Sequence, residues 1–195
     1  MANVLLGVTG SVAAILTPQL YQRLREEGHA VRVVATQASL YFFDPCALDP
    51  SRPERNPEVI VLDEDEWPGR EQGRHWQRGE PVLHIELRRW AEVFVIAPLD
   101  ANTLAKLAHG LADNCLTCIW RAWDTTRPVV VAPAMNTLMW EHPLTHRHLE
   151  QLRELQPGRL HMVEPQSKQL ACGDVGVGAM ASLDEIIAAV RNAVV

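Results

Sequence analysis

The sequence predicts an α/β fold in which one parallel sheet carries helices on both faces. Three observations predict it. Short, almost wholly apolar runs alternate with amphipathic stretches of helical period, and strands that are apolar without alternation belong to sheets covered on both sides. The first run, Asn3 to Val8, empties into Gly7-Val8-Thr9-Gly10-Ser11 and then a helical pattern, which is how a right-handed βαβ unit starts. The 195 residues suit one domain, 1–195, with a sizeable core, whereas two domains would each be small.

Each element follows from local pattern. The first helix spans Val12 to about Glu27 and stops at Gly28, with Pro18 marking a kink or a restart. Ala30 to Ala35 repeats the buried-strand pattern, and Thr36 to Phe43 reads as helical. From 44 to about 81 the chain loses periodicity and gains Pro, Gly, Asp, Glu and Arg, although Glu58 to Leu62 is a candidate third strand. Within this excursion Asp63-Glu64-Asp65-Glu66 reads as a solvated face, and Trp67 and Trp76 as loop or subunit packing. A strand over Val93 to Ala97, a helix over Ala101 to Trp123 and a strand over Val129 to Ala132 follow. Leu104, Leu107, Leu111, Cys115 and Ile119 fall on one face of that helix. A helix over Leu144 to Leu155, a strand near His161 to Val163 and a last helix over Leu183 to Ala193 complete the pattern.

Composition narrows the function. Eighteen Lys and Arg against 24 Asp and Glu give a formal charge of −6, with Arg88-Arg89 as the one basic cluster, so neither nucleic acid nor an anionic membrane is an expected partner. The start of the chain lacks a signal-peptide pattern and no stretch nears the roughly 18 apolar residues that span a bilayer; a soluble, cytoplasmic protein is expected. Cys46, Cys115, Cys118 and Cys172 are too few and too irregular for a disulfide framework. Cys115 and Cys118 form a C-x-x-C with no second pair at metal spacing, so two core-facing thiols are expected and no metal.

Two turns carry the chemistry. Gly7-Val8-Thr9-Gly10-Ser11 is half of a dinucleotide fingerprint, but its third glycine is missing and the second strand ends in Thr36 where an Asp or Glu would bind a ribose. Short hydroxyls at Ser11, Thr36 and Ser39 near two helix starts suit a terminal phosphate such as that of FMN, or serve as ordinary helix caps. The second turn, Pro133-Ala134-Met135-Asn136-Thr137-Leu138-Met139-Trp140, follows a buried strand and sets two methionines and a tryptophan around one amide. Such a turn lies at the carboxyl end of the sheet, where open α/β folds bind ligands.

With His84-Ile85-Glu86-Leu87-Arg88-Arg89-Trp90, Ala97-Pro98-Leu99-Asp100-Ala101-Asn102-Thr103 and Cys172-Gly173-Asp174, these turns resemble the flavin-dependent cysteine decarboxylases over nearly the whole chain. The resemblance implies a Rossmann-like, flavodoxin-like sheet and a homotrimer holding FMN between subunits, with shared active sites. By motif match, Ser11, Val12, Thr36, Ser39 and Phe42 would contact FMN, as would Asp100, Ala101, Asn102, Thr103, Ala134 and Met135. Asn136, Ala171 and Gly173 would bind substrate. The implied reaction converts 4′-phosphopantothenoylcysteine to 4′-phosphopantetheine in coenzyme A biosynthesis. A decarboxylase of a peptide's C-terminal cysteine and a non-catalytic flavin-fold regulator are the alternatives; the regulator usually loses a site residue, whereas His84, Asn136 and Cys172 are all kept here.

The residues make chemical sense of that reaction. Loss of CO₂ from a C-terminal cysteine leaves an unstabilised carbanion, so an electron sink is needed: hydride transfer to a flavin turns the thiol into a thioaldehyde, from which CO₂ leaves to give an enethiolate. His84 is the candidate base, deprotonating the thiol or holding the carboxylate region. Asn136 would anchor the substrate's carboxylate or amide without adding charge, or else stabilise its own turn. Cys172 is the candidate acid of the final reduction, in a glycine-rich segment at about 165–181 that could close as a flap; its alternative is an incidental thiol. Arg88 and Arg89 read as subunit contacts, and Met139 and Trp140 as packing that holds their turn.

Overall fold

Along each central strand, successive side chains point to opposite faces of the sheet, and here both sets are buried. The computed structural model describes residues 1–169 and 175–194. Its strands β1 (Asn3–Val8), β2 (Ala30–Ala35), β3 (Ile60–Leu62), β4 (Val93–Leu99), β5 (Val129–Pro133) and β6 (Leu160–Met162) form one parallel sheet in the order β3-β2-β1-β4-β5-β6. That is the doubly wound Rossmann order. The strands β7 (Gln166–Gln169) and β8 (Val175–Ala179) pair antiparallel as a separate two-stranded sheet.

The helices are α1 (Thr17–Glu26), α2 (Leu83–Trp90), α3 (Ala101–His109), α4 (Cys115–Arg121), α5 (Thr137–Trp140), α6 (Pro143–Leu155) and α7 (Leu183–Ala193). On one face Val4, Leu6, Val33, Val95 and Val130 pack under α1 and α7 through Leu20, Leu24, Ile186 and Val190. On the other, Leu5, Val34, Phe94, Ile96 and Val131 meet Leu87 of α2, Leu104 and Leu107 of α3, Leu116 and Ile119 of α4 and Leu152 of α6. Helices therefore cover both faces, as the unbroken apolar strands predict. None of the helices among the described residues is long and apolar enough to cross a membrane.

Several boundaries move for local reasons. The first helical stretch opens as a 3₁₀ segment, Val12–Leu16, and α1 restarts with Pro18 in its first turn, where the missing N–H costs nothing. Residues 37–41 form a 3₁₀ turn. The helix expected over Ala101 to Trp123 is two helices: Gly110, at φ 70°, ends α3 in the left-handed conformation, and Asn114 caps α4 in a reciprocal box with Thr117. Leu111 lies in the break and is exposed, whereas Leu104, Leu107, Cys115 and Ile119 are buried as expected. Cys118 is only half-buried, its thiol 3.5 Å from the Ala112 carbonyl. Met139 is also exposed, so it does not serve as packing for its turn.

Helices α3 and α6 meet at a histidine pair, with Nε2 of His109 and of His148 3.2 Å apart. One ring must donate and the other accept, so protonating both breaks the bond. Burial, and then the neighbouring His109, lower the proton affinity of the buried His148. The unfolded chain therefore binds more protons once pH drops below the ordinary histidine value of 6.5, and stability contributed above that value is lost as pH falls. Thermal melts between pH 7.5 and 5.5 should show a steeper loss of Tm in the wild type than in His148→Gln, whose amide serves as donor or acceptor at either pH.

Candidate functional site

Strands β1 and β4 are neighbours, and between them the connections diverge toward opposite edges of the sheet. A crevice opens outside their carboxyl ends at such a switch point. Thr9 closes its floor: the buried hydroxyl donates to the Pro98 carbonyl at 2.8 Å and accepts from the Asp100 N–H at 2.7 Å. Asp100 in turn caps α3, accepting from the Thr103 N–H at 2.7 Å. Gly10 sits where three turns meet, and a Cβ there would stand 2.7 Å from the Ala38 Cβ and 3.3 Å from the Asp100 carboxylate. Only a bare backbone fits this concavity.

Around it lie most of the residues expected to hold FMN. Ser11 caps the 3₁₀ segment, its hydroxyl 3.4 Å from the Ala13 N–H, and Val12 is exposed. Thr36 and Ser39 are both buried. The Ser39 hydroxyl is engaged with the Thr36 carbonyl at 2.7 Å, whereas the Thr36 hydroxyl is buried with no hydrogen-bond partner among the described residues. An unpaired buried hydroxyl costs about 1–3 kcal/mol, so an acceptor at this junction would relieve it. Phe42 ends the 3₁₀ turn, half-buried, with its ring edge-on to Tyr41 at 5.3 Å. Asp100, Ala101, Asn102 and Thr103 supply the start of α3, whose first N–H groups lack helical partners. A tight glycine, an orphan hydroxyl and a helix start together fit the phosphate end of FMN.

The second turn joins the same crevice. The buried Ala134 donates its N–H to the Leu99 carbonyl at 3.0 Å, which ties the end of β5 to β4. Asn136 caps the short α5, its side chain accepting from the Leu138 N–H at 2.9 Å. The Thr145 hydroxyl of α6 donates to the Met139 carbonyl at 2.5 Å, and Trp140 stacks edge-on with His146. Met135 donates its N–H to the Gly178 carbonyl of β8 at 2.9 Å, so the β7–β8 hairpin is docked on this turn. The expected flap is thus a hairpin in its described part. Ala171, Cys172 and Gly173 lie outside the described residues.

His84 stands apart. It occupies the first turn of α2 beside the acidic turn that follows β3, while Asn136 follows β5, and β2, β1 and β4 lie between those strands. The expectation that Asp63 to Glu66 form a solvated face is wrong for three of the four. Asp63 accepts from the Gln37 and Cys115 N–H groups, each at 3.2 Å, and burial raises its carboxyl above the usual range. Asp65 accepts two hydrogen bonds from Arg55, at 2.7 and 2.8 Å, and one from the Leu62 N–H at 2.8 Å. Glu66, 6% exposed, meets His84 with both oxygens: Oε1 lies 2.5 Å from Nδ1, and Oε2 accepts from the backbone N–H at 3.1 Å. Only Glu64 is exposed. No sequence signal separates Glu66 from its acidic neighbours, because the run has no period to assign a face.

Gly178 belongs to the glycine-rich segment, but no sequence signal marks it as the glycine that the turn requires. Its φ is 143°, and a Cβ there would lie 2.3 Å from the Met135 carbonyl oxygen. Gly178→Ala should detach the hairpin from the turn at a strain of about 1–3 kcal/mol. Hydrogen exchange at the Met135 amide should accelerate by about ten- to a hundredfold on that scale, with β1 and β4 protected as before.

Similarity to known proteins agrees with this geometry. A Flavoprotein family model matches residues 1–195. The chain is 52% identical over 192 residues to a phosphopantothenoylcysteine decarboxylase of Arabidopsis thaliana, covering 97% of this chain and 83% of that protein. Among solved structures it resembles a cysteine-to-serine variant of a PPC decarboxylase complexed with pantothenoylaminoethenethiol, at TM-score 0.84 and 50% identity over 98% of this chain and 97% of the other. It also resembles the FMN binding protein AtHal3, at TM-score 0.80 and 51% identity over 98% and 95% of the two chains. The chain belongs to the flavoprotein family, among the flavin-dependent cysteine decarboxylases and alongside the phosphopantothenoylcysteine decarboxylases.

Proposed function

We infer that this protein is an FMN-dependent carboxy-lyase that converts 4′-phosphopantothenoylcysteine to 4′-phosphopantetheine in coenzyme A biosynthesis. The observation that carries this reading is the likeness, at 50% identity over 98% of the chain, to a PPC decarboxylase complexed with an enethiol of the pantothenoyl series. The crevice at the β1–β4 switch point would hold FMN, with Ser11, Thr36 and the start of α3 as candidates for its phosphate and Val12, Ala134 and Met135 as further contacts. The chemistry that FMN would supply when bound is reversible hydride acceptance.

The protein's own residues handle protons and position. His84 takes the thiol proton, which leaves the sulfur electron-rich as the Cβ hydride departs. Asn136 orients the substrate through its amide and adds no positive charge that would retain the carboxylate. Once CO₂ has left, an enethiol remains, and Cys172 donates the proton its Cα needs before the hydride comes back to Cβ. Ala171 and Gly173, which flank that cysteine in the sequence, would bind substrate with it. The enethiol bound to a cysteine-to-serine relative supports this assignment.

The active form is a homotrimer with shared sites. Support comes from the layout of the sheet: His84 lies beside the acidic turn after β3 and Asn136 follows β5, with β2, β1 and β4 between those strands. In this reading a neighbouring chain brings one of the two to the shared site. The cytoplasm is the proposed location, where the free thiols of Cys46, Cys115 and Cys118 stay reduced.

Purified protein should be yellow and release CO₂ from 4′-phosphopantothenoylcysteine, and Cys172→Ser should still release CO₂ while accumulating an oxidised enethiol-type product, read by mass spectrometry. Normal product at the normal rate from that variant removes Cys172 as the acid. For the shared site, co-expressed His84→Asn and Asn136→Asp chains, each inactive alone, should recover about a quarter of wild-type activity by random mixing of copies. No recovery in mixed oligomers means that both residues act within one chain.

A further inference from the structure

The Glu66 carboxylate is enclosed, with 2% of its side chain exposed, and it contacts a single residue with both oxygens. One oxygen takes the backbone N–H of His84, which in the first turn of α2 has no partner within the helix. The other takes Nδ1 of the same residue at 2.5 Å. Backbone and ring are thus gripped together, so the imidazole cannot rotate without breaking a charge-assisted bond. A third contact comes from behind. Cys115 on α4 is buried, and burial and then the Glu66 charge hold its thiol far above the ordinary range, so it stays neutral. The turn itself is braced, because Asp63 ties it to the N–H groups of Gln37 and Cys115, and Asp65 ties it to Arg55.

A carboxylate only accepts, so the ring nitrogen facing it must carry the proton. We propose that Glu66 is the positioning residue of His84, holding the neutral imidazole as its Nδ1–H tautomer and leaving the Nε2 lone pair as the base for the substrate thiol. This rests on the decarboxylase reading and assigns His84 the proton-accepting role, because in the proposed tautomer Nε2 carries a lone pair and no proton. In the step itself, the S–H bond breaks, its proton bonds to Nε2, and the electron pair stays on sulfur. The imidazolium so formed lies 2.5 Å from a carboxylate already in place. As the Cβ hydride passes to FMN, the oxidant of the reaction, that sulfur pair forms the C=S bond. In this proposal Glu66 acts only through His84, to which both of its oxygens are bonded.

Two measurements on the FMN-loaded protein test this. In ¹⁵N-histidine-labelled wild type, the His84 signals, assigned by their loss in His84→Asn, should show a protonated Nδ1 and an unprotonated Nε2. An Nε2–H tautomer overturns the proposal, whatever the activity. In Glu66→Gln, kcat should fall by about 10²–10⁴-fold, the scale seen when the orienting carboxylate of a catalytic histidine is replaced by its amide. KM, flavin absorbance and Tm should stay near wild type, and Glu66→Asp should recover part of the loss. A kcat within about threefold of wild type in Glu66→Gln overturns the proposal too. If Glu66→Gln does not fold, the wild-type spectrum still decides. If the wild type releases no CO₂ from the substrate, the functional reading fails while the tautomer remains a separate result.

Discussion

The hydroxyl of Thr9 is the contact on which the crevice depends. It donates to Pro98 at the end of β4 and accepts from Asp100 at the start of α3, so the turns after two adjacent strands share one hydrogen-bonded group. Parallel strands bring their carboxyl ends to the same edge of a sheet, and the reversal of strand order at β1 and β4 leaves a gap between the turns there. Without a tie across it, this edge would be two independent loops. With the tie, Gly10, Ser11 and the first N–H groups of α3 keep one geometry, and the sheet beneath supplies rigidity through strands buried on both faces.

The acidic turn works on the other side of the same edge by different physics. Four successive carboxylates would normally repel one another and seek water. Here three are satisfied by backbone N–H groups or by arginine, so the charges become fasteners joining β3, the turn after β2, α4 and α2. Burying such a group unpaired would cost several kcal/mol, which makes the turn intolerant of small displacements and suits it to hold a reactive side chain. The β7–β8 hairpin is the contrary case. It belongs to its own two-stranded sheet and docks on the turn after β5 through contacts such as the Met135–Gly178 hydrogen bond.

Much of this was legible in the chain. The apolar runs over Asn3 to Val8 and Val129 to Ala132 marked strands buried on two sides, since only a doubly covered sheet tolerates them. Pro18 marked a kink or a helix restart, and the glycine-rich first turn with Thr36 in place of an acid pointed away from a dinucleotide. The break at Gly110 was missed because Leu104, Leu107, Cys115 and Ile119 keep helical period through it, and a period cannot register an interruption that preserves the buried face. Leu111 was misplaced for the same reason.

The sequence by itself determined the sheet, its two apolar faces, the chemical character of the turns at its carboxyl edge and, through its motifs, the family. Those properties are local: they follow from which residues succeed one another and from the periods of strand and helix. Only the tertiary structure decided that Glu66 is buried against His84 while Glu64 faces water, that Thr9 ties β1 to β4, and that Gly178 must lack a side chain. Each of these depends on a partner between 18 and 91 residues away or on the far side of a turn. Charge and hydrogen bonds act through space at a few ångströms, and that distance is set only when the sheet order brings remote turns to one edge.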